Sequence, residues 1–223
     1  MTFKLFIQGL IKFIIGIILV GLLIFIPAGS INFTKGWLFM GLLFIPMFIL
    51  GIILMIFNPK LLERRLNAKE KENDQKIVLL LSGIVFILGF IICGLNYRFN
   101  WFRMPYRLTY IFSIMFLIFY FLYCEILREN PFLNRTIEVR KDDKVVDTGF
   151  YAVVRHPMYS ITLMLFLLIP LVLGSIHAFF IFLLFPIIFI KRIINEEKVL
   201  EKDLKGYIEY KKKVKYRLIP FIW

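Results

Sequence analysis

Hydrophobic and polar positions fall into long blocks along this chain, not into a short period. Runs of Leu, Ile and Phe cover residues 5–26, with Lys12 near the start, and, without charge, 36–57, 77–95 and 108–124; a longer uncharged run covers 158–190. About 20 apolar residues span a bilayer as a helix, so each of the first four runs predicts one transmembrane helix. Residues 158–190 are too many for one span, and Leu173-Gly174-Ser175 marks a turn among them. That run predicts a hairpin of two rather short helices, a form suited to packing beside a cavity. The expected fold class is all-α, a polytopic transmembrane helical bundle of five to six spans. Its last two form the hairpin, followed by a basic interfacial helix. Residues 1–124 would hold the four N-terminal spans. Residues 125–223 would hold a polar loop, the hairpin and a C-terminal amphipathic helix.

The polar stretches set the orientation. Lys and Arg collect at the N-terminus, in 58–76 (Lys60, Arg64, Arg65, Lys69, Lys71, Lys76), in 125–155 and in the tail after 190. The opposite side carries only Lys35, Arg98, Arg103 and Arg107. The richer side is expected in the cytoplasm, which places both termini there. Trp37, Trp101, Phe102 and Tyr106 suit the aromatic belts at the interfaces. The first run is too long for an ordinary signal peptide and is expected to stay as an anchor. Glu63, Arg64 and Arg65 read as a solvated loop, with a role in substrate entry as the second reading. Glu125, Arg128 and Glu129 read as the fourth helix continuing into water.

Composition narrows the function classes. The chain has 223 residues, 60% of them hydrophobic, with 26 Phe and a net charge of +13. In a membrane protein that charge belongs to cytoplasmic loops and to contact with anionic membrane lipid, not to nucleic acid. Cys93 and Cys124 would lie in spans near opposite membrane faces, too far apart to pair. His156 and His177 are the only histidines, which excludes a His-rich metal site. Asp142 and Asp143 lack a third ligand, so no metal is expected.

Chemistry concentrates in two places. Residues 149–159 put Tyr151, Arg155, His156 and Tyr159 around Pro157, at the start of the last apolar run. Pro157 biases His156 toward extended backbone and suits the first position of a new helix. The amides of Met158, Tyr159 and Ser160 would then be free to attract a carboxylate or phosphate. Beyond the hairpin, Arg192 and Glu196 are four apart, on one helix face. Taken alone, that pair reads equally as an interfacial ion pair. If the hairpin closes, Tyr151, His156, Tyr159, Arg192 and Glu196 converge at the inner membrane surface. Residues 197–214 alternate Leu200, Leu204, Tyr207, Ile208 and Val214 with lysines. They predict one amphipathic helix on the inner leaflet, or a lid over the pocket, with the last residues docking back on the bundle and Pro220 ending the helix. His177 falls at the far turn and reads as structural.

Three ordered blocks carry a family resemblance: "GFYAVVRHPMYS", "RIINEEKVL" and "GYIEYKKKVKYRLIPFIW". Together they resemble the isoprenylcysteine carboxyl methyltransferase family, related to the phospholipid N-methyltransferases. The segment "NPKLLERRL" is similar to a loop of bacterial relatives. The resemblance implies an integral membrane enzyme that uses S-adenosyl-L-methionine and methylates a lipophilic or prenylated substrate from the bilayer. It implies cofactor contacts at Tyr151, His156, Pro157, Met158, Tyr159 and Glu196. It adds backbone contacts from the segment upstream, which here includes Val145 and Val146. It implies that Arg192 holds the substrate carboxylate, a task for which a guanidinium's bidentate geometry is suited. Carboxyl O-methylation is the favoured expectation and phospholipid amine N-methylation the second. A nicotinamide-dependent sterol reductase is a third reading, and a catalytically silent membrane adaptor a fourth.

Overall fold

The computed structural model describes residues 2–67, 70 and 73–223, and all its regular elements are helices. Lys69 and Lys71 of the first basic loop lie outside the described residues. The helices are α1 (Thr2–Ala28), α2 (Thr34–Phe57), α3 (Pro59–Leu66), α4 (Asn73–Phe99), α5 (Tyr106–Glu129), α6 (Pro157–Val172), α7 (Ile176–Phe182), α8 (Phe185–Asp203) and α9 (Tyr207–Lys213). Five helical stretches are long and apolar enough to cross a membrane: Phe3–Ala28, Thr34–Phe57, Gln75–Phe99, Tyr106–Glu129 and Ile176–Asp203. The polytopic helical bundle expected from the apolar runs is the fold observed. An integral membrane protein follows from it.

The core is a seam of phenylalanines between α2, α4, α5 and the last helices. Phe39, Phe116, Phe182 and Phe185 are fully buried there. Phe86 and Phe166 meet edge to face at 4.7 Å, and Phe166 and Phe185 also lie 4.7 Å apart. Such aromatic pairs add about 0.5–1.5 kcal/mol each beyond the area they bury. By contrast α1 turns Ile15, Ile18, Leu19 and Leu22 outward, as a lipid-facing helix does.

The second arm of the predicted hairpin is two helices, not one. Leu173–Ser175 turns the chain as expected, but α7 stops at Phe182 and α8 restarts at Phe185. Pro186 explains the break. It has no N–H to give the Phe182 carbonyl, and its ring would collide with that carbonyl in a continuous helix. At the first turn of α8 the same residue costs nothing.

Two further expectations change. Residues 58–76 contain α3, which Asn58 caps by accepting from the Leu61 amide at 3.1 Å, with Pro59 in the first turn. Residues 197–214 are not one helix on the leaflet. The helix ends at Asp203, and Gly206 turns the chain at φ +89° into the short α9. The apolar stripe then packs inward, with Tyr207, Tyr210 and Val214 against Val145, Leu200 and Leu204. Of that stripe Ile208 stays 50% exposed. Pro220 ends no helix, because α9 already stops at Lys213.

Candidate active site

Pro157 opens α6 as the sequence predicts, with His156 outside the helix at ψ 59°. The amides behind it are mostly occupied, contrary to expectation. The His156 carbonyl accepts from Tyr159 N at 3.0 Å and from Ser160 N at 3.2 Å. An anion site at this helix start therefore loses two of its three expected donors. The extended residues pair with the tail instead: Arg155 N donates to Tyr216 O at 2.8 Å and His156 N to Arg217 O at 2.9 Å.

The residue that gathers the hairpin's two ends is Glu197. It is 3% exposed. Its Oε1 accepts from Arg155 Nε at 2.7 Å and lies 3.3 Å from His156 Nε2, while its Oε2 accepts from Arg217 Nε at 3.0 Å. Arg155 also donates to the Val214 and Lys215 carbonyls at 2.8 and 2.7 Å. A carboxylate this deep is tolerable only because its charge and lone pairs are met. Sequence reasoning passed over Glu197. The legible signal was the doubled Glu beside a motif whose Arg and His both need an acidic partner.

Glu196 faces differently. Its Oε2 accepts from the Tyr159 hydroxyl at 2.5 Å. The same hydroxyl accepts from Arg192 Nε at 2.8 Å, and the guanidinium lies 5.8 Å from the Tyr159 ring centroid. Arg192 Nη2 donates to the Arg135 carbonyl at 2.8 Å. Tyr159 thus stands between the expected cofactor carboxylate and the expected substrate guanidinium, held by both.

Residues 130–148 form a strap over this end, and α3 anchors it. Arg64, expected in a solvated loop, is only 9% exposed. It donates to Phe132 O at 3.1 Å and to Asp143 Oδ1 at 2.6 Å. Asp143 also receives Arg140 N at 2.9 Å, so its carboxylate is a strap lock. Arg65 donates to Asn134 O at 3.2 Å and to the Tyr123 hydroxyl at 2.7 Å. Glu129 at the end of α5 receives the Phe150 amide at 3.0 Å. Glu125 and Arg128, expected where the fourth helix continues into water, form an ion pair there.

Strap, α4, α6, α8 and α9 enclose a cavity of about 480 Å³. Val145, Val146, Tyr151, His156, Met158, Tyr159, Arg192 and Glu196 all line it. Pro157 does not, being buried in the start of α6. One wall is apolar and comes from the bundle: Leu79, Gly83, Phe86, Phe166 and Phe189. The other is polar and comes from the strap. Tyr207 and Tyr210 close the cavity from α9. Tyr210 donates to the Tyr151 carbonyl at 2.7 Å. Burial pushes the Tyr207 hydroxyl pKa up, and the charges of Glu197 and Glu196 push it further. Burial likewise raises that of Tyr151. Both phenols are neutral donors at any physiological pH. The hydroxyls of Tyr207 and Thr136 are buried in this wall without a partner among the described residues.

The far end of the bundle holds no comparable set among the described residues. His177 there bonds Asn96 Oδ1 at 3.4 Å and meets Trp101 edge to face, a structural role. Cys93 and Cys124 are both free thiols.

Residues 110–202 match the model of the Isoprenylcysteine carboxyl methyltransferase (ICMT) family. They run from α5 through the strap, the 149–159 motif and the hairpin to Glu196 and Glu197. No curated protein matches the chain.

Proposed function

Taking residues 110–202 as a region of the isoprenylcysteine carboxyl methyltransferase family, we propose that this integral membrane methyltransferase uses S-adenosyl-L-methionine to methylate a carboxyl group. The acceptor is a lipophilic molecule of the prenylcysteine type that arrives from the bilayer. The observation that carries this reading is the chain of contacts Arg192–Tyr159–Glu196 in one cavity, polar toward the strap and apolar toward the bundle.

The residues fit the cofactor's parts. The cavity's volume is within the usual range of small-molecule sites, about 300–1,000 Å³. Glu196 is a carboxylate for the amino group. Tyr159 and Tyr207 offer aromatic faces for a sulfonium. The unpartnered Tyr207 and Thr136 hydroxyls are donors or acceptors for the remaining polar atoms. When bound, the cofactor supplies an electrophilic methyl group.

The chain's own work is holding and drying. A carboxylate acceptor is already ionised at neutral pH, so no base is required. Arg192 is aimed by Tyr159 and by the Arg135 carbonyl, and its Nη1, without a hydrogen bond among the described residues, is offered to a substrate oxygen. Tyr159 ties that guanidinium to Glu196, which keeps acceptor and donor subsites in fixed register. Such positioning can supply about 7–11 kcal/mol of a barrier. Tyr207, Tyr210 and the strap keep water from the reacting pair.

Two considerations support a cytoplasmic site under this proposal. The Lys and Arg balance of the loops favours that side. The cofactor is also available there. Equilibrium binding of S-adenosyl-L-methionine to the purified full chain, with and without Glu196→Gln, tests the reading. Binding that falls at least tenfold in the variant supports it. No binding by the parent chain overturns it.

A further inference from the structure

The glycines of α4 are Gly83, Gly89 and Gly94, and packing explains the last two. A Cβ at Gly89 would enter the Phe182 ring, and one at Gly94 would come within 2.6 Å of the Ile24 carbonyl. A Cβ at Gly83 would meet no described atom within 4 Å, and φ there is not positive. Glycine inside a helix weakens it relative to alanine, so this position calls for a reason outside helix packing. Gly83 lines the cavity, between Leu79 and Phe86 on one face of α4.

The depth of the gap follows from the helix. Gln75 Nε2 donates to the Arg192 carbonyl at 3.4 Å, which sets the start of α4 level with Arg192. Gly83 lies eight residues further along, about 12 Å deeper in the bundle. One turn beyond it, rings close the cavity. Phe86 packs on Phe166 at 4.7 Å and on Phe185 at 4.8 Å, and Phe166 on Phe189 at 5.7 Å. The cavity thus has an apolar arm that runs from Arg192 to this phenyl stop, and the missing side chain is just short of its end. A separate observation marks the cavity as a ligand site. Tyr207 and Thr136 line it at 4% and 6% exposure, and their hydroxyls have no partner among the described residues.

We infer that Gly83 is a specificity-determining residue, whose missing side chain admits the second isoprene unit of the acceptor's chain. The inference rests on the methyltransferase reading and deepens it. An extended chain advances roughly 1.25 Å per bond, so a point about 12 Å from a carboxyl held at Arg192 falls in the second unit of an S-prenylcysteine. That unit carries a methyl branch. It is wider than a straight chain and needs the room that a side chain at position 83 would fill. A chain of one isoprene unit ends before it reaches the gap.

The test uses the full chain in a neutral maltoside detergent with S-adenosyl-L-methionine. The acceptors are N-acetyl-S-dimethylallyl-L-cysteine and N-acetyl-S-geranyl-L-cysteine, which differ by one isoprene unit, each at a known mole fraction in the micelle. The parent chain is expected to show a kcat/KM at least tenfold higher for the geranyl acceptor, since the second unit adds apolar area to bury. Gly83→Leu is expected to remove at least tenfold of that ratio. Gly83→Ala, whose Cβ meets no described atom, should shift the ratio the same way by a smaller factor, and it folds even if the leucine variant does not. Gly51→Leu is the control. A Cβ there also meets no described atom within 4 Å, but Gly51 is outside the cavity, and the ratio should stay at the parent value. A ratio unchanged in both Gly83 variants, or a parent without the preference, overturns the inference and leaves the methyltransferase reading in place. Loss of S-adenosyl-L-methionine binding in Gly83→Ala would put the gap against the cofactor and also overturn it. A parent chain that methylates neither acceptor defeats the methyltransferase reading, and the inference with it.

Discussion

Arg155 Nε donates to Glu197 Oε1 at 2.7 Å, both side chains only 4% exposed, across 42 residues of sequence. This contact joins the entry of the last hairpin to its exit. Beside it, the neighbouring pair of Tyr159 and Glu196 opens on the cavity. Adjacent glutamates thus have separable tasks, one closing the fold and one facing the ligand.

Glu197→Gln should therefore behave as a folding variant. It leaves Arg155 and Arg217 without a counter-charge, and breaking a buried pair costs about 3–5 kcal/mol. Thermal unfolding in detergent should show a Tm drop of several degrees. Glu196→Gln should leave Tm nearly unchanged while S-adenosyl-L-methionine affinity falls. Equal Tm losses in the two variants would contradict this division.

Arg192→Ala should lower methyl transfer at least a hundredfold while cofactor affinity stays within a few fold. One missing charge-stabilising donor in a transition state commonly costs about that much. Arg192→Lys should recover little, because an ammonium cannot keep the bonds to Tyr159 and to the Arg135 carbonyl together. Parallel loss of cofactor binding would place Arg192 in the donor subsite.

Tyr159→Phe keeps the ring but cuts the link between Arg192 and Glu196. We expect kcat to fall by about ten- to a hundredfold, with a smaller change in cofactor Kd. Single-turnover rates measured with saturating cofactor would expose the difference. A variant matching the parent rate would mean that the Tyr159 hydroxyl does not set the register of the two subsites.

Gly149→Ala is expected to damage the site from outside it. Gly149 sits at φ +54°, and a Cβ there would run into the Glu129 carboxylate that receives the Phe150 amide. Strain plus the lost bond should cost about 2 kcal/mol or more. Gly206→Ala meets only Val145, at 3.9 Å, and should cost less, about 1 kcal/mol. Thermal shifts of the two variants, measured side by side, check the order.

A cysteine placed at Asp142 or Lys212 should react with a membrane-impermeant maleimide only after the cells are opened. One placed at Arg103 should react in intact cells. Cys93 and Cys124 lie in α4 and α5 and should stay silent. Labelling of position 212 from outside would reverse the proposed orientation.

The sequence by itself determined the class of the protein. Runs of uncharged residues long enough to span a bilayer leave helices as the only viable spanning elements, since lipid offers the backbone no hydrogen bonds. The Pro after His156 fixed the start of α6, and the spacing of Arg192 and Glu196 put both on one face of α8. Those are local effects, written in neighbouring residues. The tertiary structure decided which glutamate meets which partner, because Glu196 and Glu197 differ only by about 100° around a helix whose orientation the packing sets. It also decided that Tyr207 and Tyr210 turn inward on the cavity, with Val214 packed beside them. An apolar stripe fits a lipid surface and a protein surface equally well. Only the turn at Gly206 and the arrival of Val145 on the strap chose between them. Arg64 and Arg65 show the same limit: nothing near them in the chain announces the strap carbonyls and the Asp143 carboxylate that lie more than 60 residues away.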